Sequence, residues 1–250
     1  MPSSAAADAD SRLLDDPVWH ALTGPHRRFA VKPNDAEEEA ARAYRYRADV
    51  APFAALRDVT DAQAWRELAG LCGPQGRAAL EASGSRGAIS APANWTLTNV
   101  FLLAQMIAPA DAVTPGASPT STESIVALGI RDAAEMIALA ELTRPGPFGA
   151  LTVEMGGYLG VRRAGRLVAM AGRRMHLPGW IEISAVCTHP DHRGQGLSRM
   201  LTAAVETAIR QQGHRAFLHV LHENTAAIQL YRGLGFTARA DMTITVVRRD

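Results

Sequence analysis

The chain is poor in several features that mark common classes of protein. Its 250 residues include two cysteines, Cys72 and Cys187, which are too few for a disulfide framework. Lysine occurs only at Lys32 and the formal net charge is +1, so composition gives no general case for binding nucleic acid or an anionic membrane. The longest apolar runs, such as residues 100–106, are far too short to span a bilayer. What remains is the composition of an ordinary globular protein, 47% hydrophobic and 20% charged.

Composition along the chain predicts its organisation. The N-terminus has no basic region followed by an apolar stretch, so we expect a cytoplasmic protein. Residues 1–10 are small and polar, and we predict that they are disordered. Proline, glycine and small hydroxyl residues dominate 109–124, which predicts a linker. The linker divides an N-terminal α/β region, 11–108, from a C-terminal domain, 125–250.

Strand and helix signals alternate through the C-terminal domain. Periodicity and turn residues predict strands over 125–129, 158–163, 166–175, 180–188 and 216–221, and helices over 131–144, 197–212 and 225–231. Hairpins come first, and a helical crossover follows. The predicted fold class is therefore α/β, with a mixed, mainly antiparallel sheet and helices on both faces. The N-terminal region gives weaker signals: a helix over 61–71, and a segment over 95–106 that could be strand or helix.

A glycine-containing turn joins the strand ending at Thr188 to the helix beginning at Leu197. Glycines at 194 and 196 would let the backbone approach a ligand closely, and the first turn of the helix offers unpaired N–H groups to a phosphate. The sequence lacks the Gly-Lys-Ser/Thr of nucleoside triphosphatases and the third glycine of dinucleotide-binding folds. Taken alone, the segment could equally be a plain turn beside an exposed Arg193.

A second motif follows one helix and one strand later. Asn224, Ala227, Tyr231, Gly235 and Phe236 stand at the spacing Asn-x-x-Ala-x-x-x-Tyr-x-x-x-Gly-Phe. Asn224 can cap the short helix that carries Tyr231.

Together the two motifs resemble the GNAT superfamily of acyl-CoA-dependent N-acyltransferases. Its pyrophosphate loop, Gln/Arg-x-x-Gly-x-Gly/Ala, is met by Arg193 and Gly196, with Ser198 departing from it in the last place. The resemblance covers about half the chain, from residue 124 onward. Within the superfamily, Glu-Ile-Ser-Ala-Val-Cys-Thr-His-Pro at 182–190 looks most like proteins similar to glycine N-acyltransferase.

The resemblance implies an activity and a cofactor site. The implied reaction moves an acetyl group from acetyl-CoA to a primary amine of a small molecule or peptide, by direct attack in a ternary complex. The residues implied to bind the cofactor are Val186, Cys187, Thr188, Arg193, Gly194, Gln195, Gly196, Leu197, Ser198 and Asn224. Tandem members of the superfamily suggest that 11–108 is a degenerate copy of the fold, which would shape the acceptor side or support a homodimer. Neither nucleic acid nor a membrane is an expected partner.

Tyr231 is the candidate acid that protonates the departing thiolate. The resemblance gives it this role, and a phenol held close can give a proton to a developing thiolate. The alternative is a core tyrosine on the apolar face of its helix.

Glu182 is the candidate base that takes a proton from the acceptor amine. It is a carboxylate within an apolar strand, where burial would raise its pKa. The alternative is an ion pair with Arg173 or Arg174, and Glu154 is a weaker candidate base. No metal site is predicted, because His219 and His222 would lie on opposite faces of a strand.

Two other functions stay open at this point. One is a CoA-binding regulatory or structural module without catalysis. The other is an O-acyltransferase or acyl-CoA hydrolase, which would release CoA without an amine acceptor.

Overall fold

A computed structural model of the chain describes residues 11–33, 40–84, 89–109 and 124–250. The predicted disordered segment, 1–10, and the linker between residues 110 and 123 lie outside the described residues. The chain divides into two compact units. The first contains Met1–Ala104, Met175–Pro178 and Ala240–Asp250, and the second contains Gln105–Arg174 and Gly179–Arg239.

Short strands and two helices form the first unit. Its helices are α1 (Pro17–Leu22) and α2 (Ala62–Cys72), and its strands are β1 (Ala30–Val31), β2 (Ala43–Tyr46), β3 (Phe53–Leu56), β4 (Arg77–Ser83) and most of β5 (Trp95–Ile107) and β11 (Thr237–Arg249). Strands β1 to β4 lie side by side, with β11 antiparallel to β4. Helix α2 packs Trp65 and Leu68 into a core that includes Leu80 and Trp95.

The second unit carries the strands and helices predicted for the C-terminal domain. They are β6 (Ile125–Leu128), α3 (Ala133–Thr143), β7 (Tyr158–Arg163), most of β8 (Arg166–Leu177), β9 (Trp180–Thr188), α4 (Leu197–Gln211), β10 (Arg215–Leu221) and α5 (Thr225–Arg232). The strand order is β10-β9-β8-β7-β6. Strand β7 is antiparallel to β6 and β8, whereas β10 is parallel to β9. The predicted fold class, a mixed and mainly antiparallel sheet with helices, is confirmed.

The same succession of elements, two adjacent strands, a crossover helix and a parallel strand, occurs in both units. In the first, the hairpin β2-β3 leads through α2 to β4, which is parallel to β3. In the second, β8-β9 leads through α4 to β10. The starts of the two crossover helices differ, because Asp61 caps α2 and accepts a hydrogen bond from the Gln63 N–H (2.8 Å). A carboxylate therefore caps the helix start of the first unit, whereas α4 begins at a glycine with no side-chain cap.

Helix α3 and the end of β9 share a core. Met136 and Leu139 pack in one cluster with Ala185 and Cys187. Helix α4 contributes the buried Leu201, and it crosses between β9 and β10. No helix among the described residues is long and apolar enough to cross a membrane.

Asp16, just before α1, makes the first unit sensitive to pH. Burial raises the pKa of Asp16 to about 7, although the hydrogen bond that Asp16 accepts from the Trp19 N–H lowers it. The nearby charge of Glu81 adds to the rise. Between about pH 4 and 7, Asp16 is protonated in the folded state and ionised in the unfolded chain. The free energy of unfolding therefore falls as the pH rises through that window.

Asp16→Asn can still cap α1 but does not titrate. From pH 5 to pH 8, we expect the free energy of unfolding of this variant to rise relative to that of wild type by on the order of 2 kcal/mol. Urea unfolding at the two pH values measures this, with Asp15→Asn as the exposed control. An equal difference at both pH values would contradict it.

Candidate functional site

Strands β9 and β10 pair at one end and then diverge. Their parallel register joins Trp180 to Arg215, Ile181 to Ala216 and Glu182 to Phe217. Further along β9, Ala185 adopts a left-handed conformation with φ of 53°, which is strained for a residue with a Cβ. A residue in this conformation bends the strand without ending it, and beyond Ala185 the end of β9 lines a cleft.

The cleft has a volume of about 750 Å³ and lies wholly within the second unit. Its walls come from the end of β9, the loop and first turn of α4, the helix α5, and the end of α3. The lining residues are Thr143, Arg144, Pro145, Val186, Cys187, Thr188, His192, Arg193, Gly194, Gln195, Gly196, Leu197, Ser198, Arg199, Asn224, Ala226, Ala227, Gln229, Leu230 and Tyr231. All the residues predicted to bind the cofactor are among them, together with Tyr231.

The loop before α4 depends on two glycines in left-handed conformations. Gly194 has φ of 75° and Gly196 has φ of 77°, and a Cβ at either position would meet no atom within 4 Å. Conformation therefore requires glycine here, whereas steric room does not. Gly196 is the N-cap of α4 and has no side chain to cover the first N–H groups of the helix, and the first residues of α4, Leu197 and Ser198, line the cleft.

Hydrogen bonds hold this loop from two sides. The hydroxyls of Thr188 and Ser198 lie 2.9 Å apart, so the end of β9 is tied to the first turn of α4. On the other side, Nη1 of Arg163 donates to Nδ1 of His192 (2.9 Å) and to Oε1 of Gln195 (2.6 Å). The loop is thus preorganised before any ligand binds.

Positive charge dominates the cleft. The guanidinium groups of Arg144, Arg193 and Arg199 line it, and none of the described lining residues is an aspartate or a glutamate. The positive end of the α4 dipole adds to this field. An anionic ligand is therefore favoured.

Tyr231 brings a protonated hydroxyl to the same cleft. Its side chain is 8% exposed, and burial raises its pKa above the ordinary value of a phenol, with Cys187 adding to the rise. The helix that carries it begins at Asn224, whose Oδ1 accepts a hydrogen bond from the Ala227 N–H (3.1 Å). Tyr231 is thus both packed, near Phe236, and in contact with the cleft.

Cys187 lines the cleft as a free thiol. Burial raises its pKa to about 11, against the lowering effect of a hydrogen bond with Thr143. The thiol therefore stays protonated near neutral pH and is a poor nucleophile.

Glu182 does not line the cleft. Its carboxylate is fully buried and accepts hydrogen bonds from Nε and Nη2 of Arg174 (2.7 and 2.6 Å), and its Oε1 lies 2.9 Å from Nδ1 of His219. Burial would raise the pKa of Glu182, but the charge and hydrogen bonds of Arg174 outweigh burial and lower it. The predicted rise in pKa was therefore wrong, and the alternative of an ion pair with Arg174 describes the site.

The remaining candidates lie elsewhere. Arg173, the other proposed partner of Glu182, donates from Nη1 to Oε1 of Gln212 (2.8 Å). Glu154 is exposed, in a short 3₁₀ turn at Thr152–Met155. Among the described residues, no group of three histidine, cysteine, aspartate or glutamate side chains could hold a metal ion.

Sequence reasoning missed two arginines at the site. Arg144 ends α3 in a left-handed conformation with φ of 51° and lines the cleft. Arg163 lies at the end of β7 and bonds the loop from behind. The Pro-Gly-Pro sequence after Arg144 signalled only the end of a helix.

Comparisons with known proteins found a family model and solved structures that are similar to this chain. A family model described as FR47-like protein matches residues 158–245. A crystal structure from Novosphingobium aromaticivorans, of a candidate acetyltransferase of the GNAT family, is 36% identical, with a TM-score of 0.81 over 95% of this chain and 98% of that one. The chain belongs to the GNAT family of acetyltransferases.

Two other proteins are similar to the chain, one in its fold and one over a single segment. A GCN5-related N-acetyltransferase from Kribbella flavida is 19% identical, and the match covers 100% of this chain and 96% of that chain. Its TM-score is 0.61, and at this identity the likeness shows the fold alone. The mycothiol acetyltransferase of Thermobispora bispora is 39% identical over 88 residues, or 32% of this chain. The chain thus spans only 30% of that curated relative.

Proposed function

We propose that this GNAT family member is an acyl-CoA-dependent N-acyltransferase. It moves an acetyl group from acetyl-CoA to the primary amine of a small molecule or peptide. One observation carries the proposal: a cationic cleft holds both a glycine turn at the start of α4 and the protonated hydroxyl of Tyr231.

The donor binds through its phosphates and its pantetheine arm. The N–H groups of residues 194–198 and the guanidinium of Arg193 hold the pyrophosphate, which α4 also attracts through its dipole. Beyond Ala185 the end of β9 lines the cleft, so backbone groups of Val186 and Thr188 pair with the pantetheine amides. An N–H of this strand also donates to the thioester oxygen, and it stabilises the oxyanion that forms during attack.

Transfer proceeds in one encounter of donor and acceptor. The nitrogen lone pair of the neutral amine forms the C–N bond, and collapse of the tetrahedral intermediate breaks the C–S bond. The thiolate receives the proton of the Tyr231 hydroxyl, and the proton that the nitrogen gives up passes through solvent and restores that hydroxyl, so charge and protons balance. Because Cys187 stays protonated, the residues of the cleft favour this direct route over an acyl-enzyme.

The acceptor is a separate proposal. The protein from Thermobispora bispora bears the name mycothiol acetyltransferase, but the match covers too little of it to carry its acceptor over. The segment at 182–190 supports the narrower proposal of a protein similar to glycine N-acyltransferase.

Thiol release from acetyl-CoA tests the proposal. The purified chain is incubated with acetyl-CoA and a panel of amino acids, peptides and polyamines, and free thiol and acetylated amine are both measured. We expect thiol release that depends on an amine and matches the acetylated product mole for mole. Thiol release without amine would instead indicate a hydrolase, and binding of acetyl-CoA with no release for any acceptor would favour a non-catalytic module.

A further inference from the structure

Glu182 occupies the point at which β9 and β10 separate. It pairs with Phe217 in the last position of the β9–β10 register. Its carboxylate bonds Arg174 on β8 and His219, two residues further along β10. The side chain therefore links β9 to both of its neighbours where the cleft begins.

The surrounding hydrogen bonds define the protonation of this cluster. Nη1 of Arg239 donates to Oε1 of Gln105 (2.8 Å), so the amide nitrogen of Gln105 must face Nε2 of His219, 3.0 Å away. That ring nitrogen then accepts a hydrogen bond, and the imidazole proton lies on Nδ1. His219 is thereby inferred to be uncharged and to donate to an ionised Glu182.

No solvent-exposed surface remains on the Glu182 carboxylate. One oxygen accepts from Nε of Arg174, and the other accepts from both Arg174 and His219. To take a proton from a substrate, the carboxylate would have to release a guanidinium that is itself buried, which is costly. The hydroxyl of Tyr158 on β7 also interacts with Glu182, and burial keeps that hydroxyl protonated.

We propose that Glu182 is a positioning residue, an ionised anchor that holds β8, β9 and β10 together through Arg174 and His219 where the cleft begins, and that the acceptor amine loses its proton to solvent before it attacks. The second part of this inference, on the acceptor amine, rests on the proposed function. The acceptor is then an amine that is partly neutral at the working pH. An α-amine, with a pKa of about 8, meets this condition better than an ε-amine of about 10.4.

The test combines acetyl-CoA binding with a pH profile. Wild type and Glu182→Gln are titrated calorimetrically with acetyl-CoA at one pH. The kcat/KM for the acceptor is then measured from about pH 6 to 11 with glycylglycine, whose only amine is an α-amine, and with Nα-acetyl-lysine, whose only amine is an ε-amine. If only one is acetylated, the midpoint of its profile is compared with the pKa of that amine.

If Glu182 is an anchor, we expect two results. Glu182→Gln raises the Kd for acetyl-CoA roughly tenfold, since a lost charge-assisted hydrogen bond relaxes β9 against β10. The rising limb of the profile lies about two pH units higher for Nα-acetyl-lysine than for glycylglycine, in wild type and variant alike. Should Glu182→Gln fail to fold, the charge-free pair Arg174→Met/Glu182→Met replaces it in both measurements.

Two results would overturn the inference. A rising limb at one pH for both amines, lost in the variant, would make Glu182 the base. An unchanged Kd for acetyl-CoA in Glu182→Gln would show that Glu182 is not an anchor. Failure of wild type to acetylate either amine would count against the proposed function, whereas the binding comparison would still decide the anchor.

Discussion

Tyr231→Phe is expected to lower kcat by about 100-fold, the lower end of what a positioned acid contributes. The ring still packs near Phe236, and only the hydroxyl that protonates the departing thiolate is removed. The Kd for acetyl-CoA should stay within about twofold, because a group used mainly in the transition state contributes little to binding of the donor. Steady-state rates with a saturating acceptor, together with calorimetric Kd values, measure the two effects separately.

Tyr158→Phe is the matched control for this prediction. Tyr158 is also a buried tyrosine, but it lies on β7 and does not line the cleft, and its hydroxyl has no hydrogen-bond partner among the described residues. Removing that hydroxyl should leave kcat unchanged. Equal rates for Tyr231→Phe and wild type would assign Tyr231 to the core instead of the chemistry.

Gly196→Glu is expected to weaken acetyl-CoA binding by at least about 100-fold. The new side chain must adopt the left-handed conformation that Gly196 has at φ of 77°. It also places a carboxylate at the N-terminus of α4, where the pyrophosphate is proposed to bind, so two anions compete for one set of N–H groups. Calorimetric titration of the variant measures the loss.

Gly165→Glu is the control that separates an effect at the cleft from the general effects of backbone strain and added charge. Gly165 lies in the exposed turn between β7 and β8, with φ of 79° and no atom within 4 Å of an added Cβ. The substitution therefore imposes the same backbone conformation and adds the same charge outside the cleft. We expect wild-type affinity. Equal losses in both variants would attribute the effect of Gly196→Glu to general destabilisation.

The second unit was largely predictable from the sequence because its signals are local. Alternating strands and the periodic helix at 197–211 came from side-chain pattern, and the cleft residues came from two motifs with fixed spacing. The first unit was less predictable, because β2 and β3 have four residues each and are buried in an almost continuous run. Four residues give too short a window for a period to be recognised. The long strand β11 carried no prediction either.

The electrostatics of Glu182 show where local reasoning ends. A buried carboxylate in an apolar strand should have a raised pKa, and the sequence offers both Arg173 and Arg174 as partners. Strand register decides that Arg174 faces Glu182 and that Arg173 faces Gln212. Neither that choice nor the approach of His219 from β10 leaves a mark in the sequence. The same holds for Arg163, which reaches the loop only after β7 is placed.

Calorimetric titration of the wild-type chain with acetyl-CoA tests the central claim most directly. The cationic cleft, its two left-handed glycines and the start of α4 predict one site per chain with a Kd on the order of 1–10 μM, and CoA as a competitor. Absence of heat at millimolar acetyl-CoA, with the protein folded by circular dichroism, would contradict it. The glycine loop would then serve packing, in a GNAT fold that does not use this donor.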